Sequence, residues 1–305
     1  MKILFFTGKG GVGKSTLAAA TAWQLSRKHR VLIVSLDPAH NLGDIFGVEI
    51  RQETRFADTL YLKEIDLKEL SKAYLEREIN VLSDTYKYLQ VLNLDNYFSV
   101  LKYSPGIEEY ALLSSIEETI RSESDYDYIV FDTPPTGLTL RFLALPQVTL
   151  TWIDRLVQIR RKILEKCYTI HRIRGPQSQG ETLLSYDEKD DGILQKLLAL
   201  ESGYHSLKTV LKGDDCTIAL VFNPDMLSLK ESVRLVKGFE ELGLPLRLLL
   251  HNKISPDNRE AADRVENEMR SVSKVPLKRV AFLPDFQKDN GTELYNIRED
   301  LTPLF

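Results

Sequence analysis

The chain has 305 residues, of which 43% are hydrophobic and 28% are charged, and its formal net charge is −4. These proportions are typical of a soluble globular protein of one large domain or two small ones, and the charge gives no overall attraction to nucleic acid or to an anionic membrane. The two cysteines are far apart and form no C-x-x-C pattern, which argues against zinc binding and against a disulfide framework. No apolar run approaches the roughly 20 residues that a membrane span needs. We therefore expect a cytoplasmic protein.

Short apolar runs alternate with helical stretches along the chain. They predict strands at 3–6, 31–36, 61–65, 128–131, 217–222, 246–250 and 279–283. Each run is continuously apolar rather than alternating, which is typical of strands that are buried on both faces of a sheet. Because strands and helices alternate, the sequence predicts an α/β fold with a mostly parallel sheet flanked by helices.

Two segments, 66–124 and 148–212, interrupt this alternation. Both have little strand signal, and their charges are interleaved among Leu, Ile and Tyr, which favours helices. They are too long to be simple crossover loops. We therefore predict a single domain over 1–305, in which a core of 1–65, 125–147 and 213–305 carries one helical subdomain built from the two insertions.

The first predicted strand leads into a glycine-rich loop, Gly8-Lys9-Gly10-Gly11-Val12-Gly13-Lys14-Ser15, and then into an Ala- and Leu-rich helix. This loop satisfies G-x-x-x-x-G-K-[ST], in which backbone N–H groups and a helix N-terminus surround phosphates. We expect Lys14 to reach the β- and γ-phosphates, Ser15 to ligate Mg²⁺ and Thr16 to contact the nucleotide. The pattern predicts a P-loop NTPase that binds ATP or ADP with Mg²⁺.

Asp37 directly follows the second predicted strand. An acid at the carboxyl end of such a strand faces the ligand crevice of an open α/β sheet, where it can orient the attacking water. A turn that merely uses the chemistry of Asp37-Pro38 is an equally good interpretation of the spacing.

Asp132 directly follows the predicted strand at 128–131, in the pattern of a Walker B element. We expect it to hold Mg²⁺, through a water molecule. The residues around Gly137 are expected to form a loop that senses the γ-phosphate and moves when the phosphate leaves.

These motifs carry a family resemblance. Lys9, directly after the first glycine, resembles the deviant Walker A motif of MinD, ParA, the nitrogenase iron protein and the arsenite-pump ATPases. The loop, DPAHNLGD from Asp37 and DTPPTGLTLRFLALP from Asp132 together resemble the P-loop, switch I and switch II of one family. That family comprises the arsenical pump-driving ATPases and the ATPases that target tail-anchored membrane proteins.

The resemblance implies roles for particular residues. Lys9 and Lys14 would act on the phosphates, with Lys9 crossing a homodimer interface to the partner subunit's nucleotide, and Asp37 would orient the hydrolytic water. Asn252 would hydrogen-bond adenine, although an amide at a strand end can equally cap a helix, and the backbone at Leu283 and Pro284 would close over the base. The implied activity is Mg²⁺-dependent ATP hydrolysis that drives a dimer switch acting on an unknown protein client or membrane partner.

The chain departs from its relatives in ways that leave the client open. The pump ATPases usually have two tandem homologous halves, whereas this chain has one, and its two cysteines, Cys167 and Cys216, are too few thiols for three-coordinate arsenite. The targeting ATPases carry a C-x-x-C pair that shares zinc and a client groove rich in Met, whereas this chain has no such pair and no Met in the two insertions. A nucleotide-gated chaperone or targeting factor for hydrophobic membrane-protein segments is the alternative function. A MinD- or ParA-like spatial organiser is less favoured, because the tail at 294–301 is short and acidic rather than a membrane-binding amphipathic helix.

Overall fold

A mostly parallel sheet of eight strands is the main β-structure in a computed structural model that describes residues 1–38, 41–51, 53–85, 105–174, 178–179, 182–183, 187–282 and 294–305. Its strands are β1 (Lys2–Gly8), β2 (Val31–Ser35), β3 (Glu53–Ala57), β4 (Leu60–Glu64), β5 (Tyr128–Asp132), β8 (Cys216–Phe222), β9 (Leu246–Ile254) and β10 (Leu277–Ala281). Two short strands, β6 (Ser178–Gln179) and β7 (Thr182–Leu183), pair separately.

The strand order in the sheet is β10-β9-β8-β1-β5-β2-β4-β3. Every neighbouring pair is parallel except β3 and β4. The carboxyl ends of the parallel strands therefore meet at one edge of the sheet. The register aligns Phe6 of β1 and Ser35 of β2 with Asp132 of β5, which brings the ends of these three central strands together.

The helices of the described residues lie between these strands in chain order. They are α1 (Lys14–Ser26), α2 (Asn41–Phe46), α3 (Leu67–Thr85), α4 (Ile107–Ser122), α5 (Thr136–Arg174), α6 (Gly192–Lys212), α7 (Met226–Leu242) and α8 (Arg259–Val272). Among these described helices, none combines the length and the apolarity needed to cross a membrane.

The prediction of a mostly parallel α/β sheet is confirmed, and all seven predicted strands are present with shifted ends. The sequence interpretation missed β3. This strand lies at the sheet edge, carries Glu53 and Arg55, and is only partly buried. Because an edge strand is not covered on both sides, it lacks the continuous apolar run by which the other strands were recognised.

One large core joins α1 to the sheet and to the end of the chain. Alanines 18, 19 and 22 of α1 are fully buried, and their small side chains allow the helix to approach the strands closely. Tyr295 stacks on Phe46 with ring centroids 4.7 Å apart and meets Trp23 edge-on at 5.1 Å. This aromatic packing holds the described part of the C-terminal segment against α1 and α2.

The described residues form two compact units, Met1–Leu143 with Lys212–Phe305, and Ala144–Leu211. Helices α3 and α4 of the first insertion belong to the first unit, where Tyr74 stacks on Tyr110 with ring centroids 6.2 Å apart. The assembly of 66–124 and 148–212 into one helical subdomain remains a prediction.

The second unit has its own small core. Ile153, Val157 and Leu164 of α5 are buried together with Leu194 of α6. Asp191 accepts two hydrogen bonds from Arg160, at 2.9 and 2.5 Å, and a third from the Leu194 backbone N–H at 2.7 Å. The Arg160 guanidinium is the main reason why the pKa of Asp191 is lowered.

Candidate functional site

The glycine loop runs from the end of β1 to the start of α1, and two of its glycines are sterically required. A Cβ at Gly8 would lie 2.2 Å from the Val221 carbonyl oxygen of β8. Gly13 has φ 95°, and a Cβ there would lie 2.4 Å from Asn252 Nδ2. Gly13 also precedes α1 without a side-chain cap, which leaves the N-terminal N–H groups of the helix available to an anion.

Lys14 is buried at the beginning of α1, with only 4% of its surface exposed. Its ammonium group lies 3.5 Å from the Lys9 carbonyl oxygen, so the side chain bends back over the loop. Lys9 itself is half-buried. A buried ammonium needs a negatively charged or strongly polar partner, and a bound phosphate would supply one at this position.

Asp132 ends β5 beneath the loop and is fully buried. Neither carboxylate oxygen has a hydrogen-bond partner among the described residues. Burial raises its pKa to about 7 and the nearby charge of Asp37 adds to this, whereas the Ser15 hydroxyl and the Lys14 ammonium lower it. The Ser15 hydroxyl therefore lies close by, although outside good hydrogen-bond geometry. A buried, unsatisfied carboxylate beside a hydroxyl is an oxygen donor set that fits Mg²⁺.

Asp37 follows β2 at the same edge of the sheet and is 8% exposed. Its electrostatic effect on Asp132 means that the two carboxylates are neighbours, as their places at the ends of adjacent strands β2 and β5 require. Repulsion between them would be relieved by a divalent cation.

Asn252 lies inside β9, near its carboxyl end, and is 7% exposed. Its Nδ2 donates to the Val12 carbonyl at 2.8 Å, so the amide contacts the phosphate loop directly. Asn252 and Thr16 line a cavity of about 180 Å³ beside the loop, together with Gly13, Leu17, Lys253, Val280, Ala281, Phe282, Leu294 and Ile297. Leu283 and Pro284, which were also expected at the base, lie outside the described residues.

The segment after Asp132 differs from its expected form. Gly137 was predicted to lie in a loop, but it lies in the first turn of α5, which begins at Thr136. Two buried hydroxyl groups fix the start of α5. Thr139 donates to the Pro134 carbonyl at 2.8 Å, and Thr133 donates to the Phe6 carbonyl of β1 at 2.9 Å. Sequence analysis did not single out Thr133 or Thr139, although both lie within seven residues of Asp132.

A partly buried network of polar and charged side chains lies behind Asn252, and the sequence interpretation missed it as well. His251 is fully buried, stacks on Phe222 with ring centroids 4.5 Å apart, and lies 3.3 Å from Glu266. Burial is the main cause of its lowered pKa. Arg279 donates to both oxygens of Glu266, at 2.7 and 2.9 Å, and also bonds Asp263. The network joins α8 to β9 and β10 and holds the strand that carries Asn252.

The two cysteines belong to different compact units. Cys216 begins β8 and is buried, and burial raises its pKa to about 12, so its thiol remains protonated. Cys167 is half-buried on α5 in the other unit. Cys216 is therefore a small residue of the core.

A mostly parallel sheet flanked by helices, with a glycine-rich phosphate loop between its first strand and first helix, defines a nucleotide-binding α/β ATPase of the P-loop type. The family model described as anion-transporting ATPase matches residues 1–284. The chain belongs to this family of ATP hydrolases.

Curated relatives agree with this assignment. A protein of Aquifex aeolicus (strain VF5) named as arsenical pump-driving ATPase 2 is 31% identical over 94% of this chain and 91% of its own length. ATPase get3 of Aspergillus terreus (strain NIH 2624 / FGSC A1156) is 31% identical over 92% of this chain and 81% of its own. An arsenical pump-driving ATPase of Chlorobaculum tepidum is 31% identical over 83% of this chain, which spans only 61% of that longer relative.

Proposed function

We propose that this ATPase requires Mg²⁺ and uses ATP binding and hydrolysis to drive a dimer switch that acts on a protein client or membrane partner. The observation that carries the metal dependence is the fully buried, unsatisfied carboxylate of Asp132 beside Ser15 and Lys14. Such a group is costly unless it receives a cation or a proton. Mg²⁺ bound there with the β- and γ-phosphates would neutralise charge that develops during phosphoryl transfer.

The residues of the site have distinct proposed roles. The loop from Gly8 to Ser15, with Thr16, binds the phosphates, and Lys14 places its ammonium against the β- and γ-oxygens. Ser15 ligates Mg²⁺ and Asp132 holds it through water. Asp37 orients the attacking water, and Asn252 holds the base in the cavity beside the loop. The work of these groups is positioning and charge neutralisation, which phosphoryl transfer mainly requires.

The dimer switch depends on Lys9. This residue contributes its backbone carbonyl to its own loop, and its side chain is partly exposed. An exposed cation at the edge of a phosphate site is available to a nucleotide held by a second copy of the chain. We propose that it contacts the partner subunit's phosphates and that ADP release separates the two copies.

Substitution of Lys9 by Ala tests this proposal. In the unsubstituted protein we expect turnover to require Mg²⁺ and to rise more steeply than linearly with protein concentration, because two subunits complete each site. The Lys9→Ala protein should bind ATP with similar affinity and turn it over about tenfold or more slowly, as expected when a charged contact to the transferred phosphate is lost.

Lys28→Ala is the matched control, since Lys28 lies after α1 and away from the loop. Turnover and ATP-induced dimerisation are measured over a range of concentrations by coupled assay and sedimentation. Normal, concentration-independent turnover of Lys9→Ala would show that Lys9 does not act across an interface.

A row of exposed apolar side chains on α5 favours a client-handling function. We call it the α5 stripe; it consists of Val148, Trp152, Leu156, Ile159, Ile163, Ile170 and Ile173. Steps of three, four and seven residues place them on one side of the helix. Trp152 is 67% exposed and Ile173 is 77% exposed, while Ile153 and Val157 are buried on another side of the helix. Contiguous exposed apolar surface of this kind marks an interaction site.

The proposed occupant of the α5 stripe is an apolar helical segment, bound in the ATP state. Trp152 reports on it directly, since the chain has only two tryptophans and Trp23→Phe removes the other. With ATP, a synthetic Leu- and Ala-rich helical peptide of about 20 residues should shift the emission of Trp152 to shorter wavelength. Ile159→Ser with Ile163→Ser should weaken peptide binding by about tenfold or more, because each buried Ile contributes about 1.5–3 kcal/mol.

Gln158→Ser with Thr169→Ser provides the control, because both positions lie off the stripe on exposed parts of α5. An equal shift without nucleotide would contradict gating by ATP. No shift in either state would contradict client handling, while leaving ATP hydrolysis untouched.

A further inference from the structure

Two successive residues of β9 hold two successive carbonyl groups of the phosphate loop. Asn252 Nδ2 donates to the Val12 carbonyl oxygen at 2.8 Å, and Lys253 Nζ donates to the Gly11 carbonyl oxygen at 2.7 Å. We call this pair of contacts the β9 clamp.

The backbone of β9 is distorted where the clamp forms. Lys253 has φ 59°, and it is the one residue other than glycine with positive φ in the described part of the chain. In the pairing with β10, His251 is opposite Arg279 and Ile254 is opposite Ala281, so β9 contains one extra residue at this point. Such a bulge redirects a side chain, and a left-handed backbone conformation is unfavourable for lysine. The fold thus maintains an unfavourable conformation that aims the Lys253 ammonium at the loop.

The clamp has a direct consequence for the N–H groups of the loop. In a planar trans peptide the C=O and N–H bonds point in opposite directions. Fixing the carbonyls of Gly11 and Val12 on the β9 side therefore turns the N–H groups of Val12 and Gly13 away from β9. Backbone N–H groups of this loop are the ones that surround phosphate oxygens. The clamp pre-organises them before a ligand arrives.

The same two residues line the cavity beside the loop. Asn252 and Lys253 face it together with Phe282 and Thr16. A base in this cavity would contact the side chains that hold the loop, so its binding would favour the clamped conformation. Any ligand that favours this conformation raises the affinity for the other ligand that requires it, and the effect is reciprocal.

We infer that Lys253 is a positioning residue that couples occupancy of the base cavity to the phosphate-binding geometry of the loop. The inference rests on the proposed nucleotide site. Lys253 does not contact the phosphates; it acts through the Gly11 carbonyl. The base and the phosphates accordingly bind cooperatively. The enzyme therefore binds a nucleoside triphosphate more tightly than a bare polyphosphate by a larger factor than the contacts of the base alone would give.

The test separates the two halves of the ligand. The affinity of Mg²⁺-tripolyphosphate is measured by calorimetry with and without saturating adenosine, which gives a coupling factor. We expect adenosine to tighten tripolyphosphate binding at least fivefold in the unsubstituted protein, within the usual range of coupling between sites. In Lys253→Met, which keeps the unbranched shape of the side chain but removes the donor, the factor should fall to about one, and tripolyphosphate alone should bind about tenfold more weakly.

Two further variants separate coupling from stability. Lys253→Gly relieves the left-handed strain, so it should unfold at the same or a higher temperature and still lose the coupling. Lys253→Arg keeps a cationic donor and should restore much of the coupling. Lys278→Met on β10 is the matched control and should leave both affinities unchanged.

The result that overturns the inference is an unchanged coupling factor in both Lys253→Met and Lys253→Gly. A coupling factor of one in the unsubstituted protein would overturn it equally. Failure of the nucleotide site itself would look different, because Mg²⁺-ATP would then bind to none of the proteins.

Discussion

Replacing Asp37 by Asn is expected to leave Mg²⁺-ATP bound while turnover falls by about two to four orders of magnitude. Asn keeps the size of the side chain but cannot accept a proton or attract the attacking water as a carboxylate does. General-base and water-orienting groups contribute about 10²- to 10⁴-fold to such reactions. The position of Asp37, buried at the end of β2 beside Asp132, fits this role.

The comparison for Asp37→Asn is Asp44→Asn, the same change on an exposed residue of α2 seven positions along the chain. Single-turnover release of phosphate and equilibrium binding of ATP are measured on both proteins. We expect Asp44→Asn to behave as the unsubstituted enzyme. Equal rates for the two variants would mean that Asp37 is a turn residue, which is the other interpretation that its spacing allows.

Replacing Asp132 by Asn is expected to change stability in opposite directions with and without the ligand. The folded-state pKa of Asp132 is raised from 3.8 to about 7, chiefly by burial. A raised carboxyl pKa means that the folded protein binds the proton more tightly than the unfolded chain. Without Mg²⁺ and nucleotide, this group therefore destabilises the fold increasingly as pH rises from about 4 to about 7, and fully above pH 7.

Asparagine does not ionise, so it does not have the free-energy cost of a buried negative charge. In EDTA at pH 8 the Asp132→Asn protein should thus be more stable than the unsubstituted protein by up to a few kcal/mol, since each unit of pKa shift corresponds to about 1.4 kcal/mol. Near pH 4 the two should converge. Saturating Mg²⁺-ATP at pH 8 should reverse the order, because the charged carboxylate holds the hydrated metal more strongly than an amide does and so gains more of its binding free energy.

Thermal unfolding at several pH values, with EDTA or with Mg²⁺-ATP, provides the measurement for Asp132. Asp44→Asn serves again as the control and should show no reversal, because its carboxylate is exposed. An Asp132→Asn protein that is less stable than the unsubstituted one at pH 8 in EDTA would indicate that Asp132 is already satisfied without a cation.

Several features of the fold were accessible from local sequence. The strands β1, β2, β5 and β8 are buried on both faces, so each carries an apolar run that needs no knowledge of its neighbours. The edge strand β3 could not be predicted from local sequence, because it is only partly buried and forms by pairing with β4. The length of α5 was not accessible either: Pro146 lies inside the helix, whereas proline usually ends one.

The sequence by itself determined the glycine-rich loop between the first strand and the first helix, the strand-end positions of Asp37 and Asp132, and the membership of a family of ATPases, since glycine spacing and strand-end acids are local patterns. Only the tertiary structure decided that Asp132 is buried with no hydrogen-bond partner in the described part of the chain, and that Lys253 reaches the Gly11 carbonyl. These facts depend on residues up to 242 positions apart and on a bulge in β9. Burial and long-range hydrogen bonds are properties of the packed chain, because desolvation exists only after the sheet and helices enclose the group.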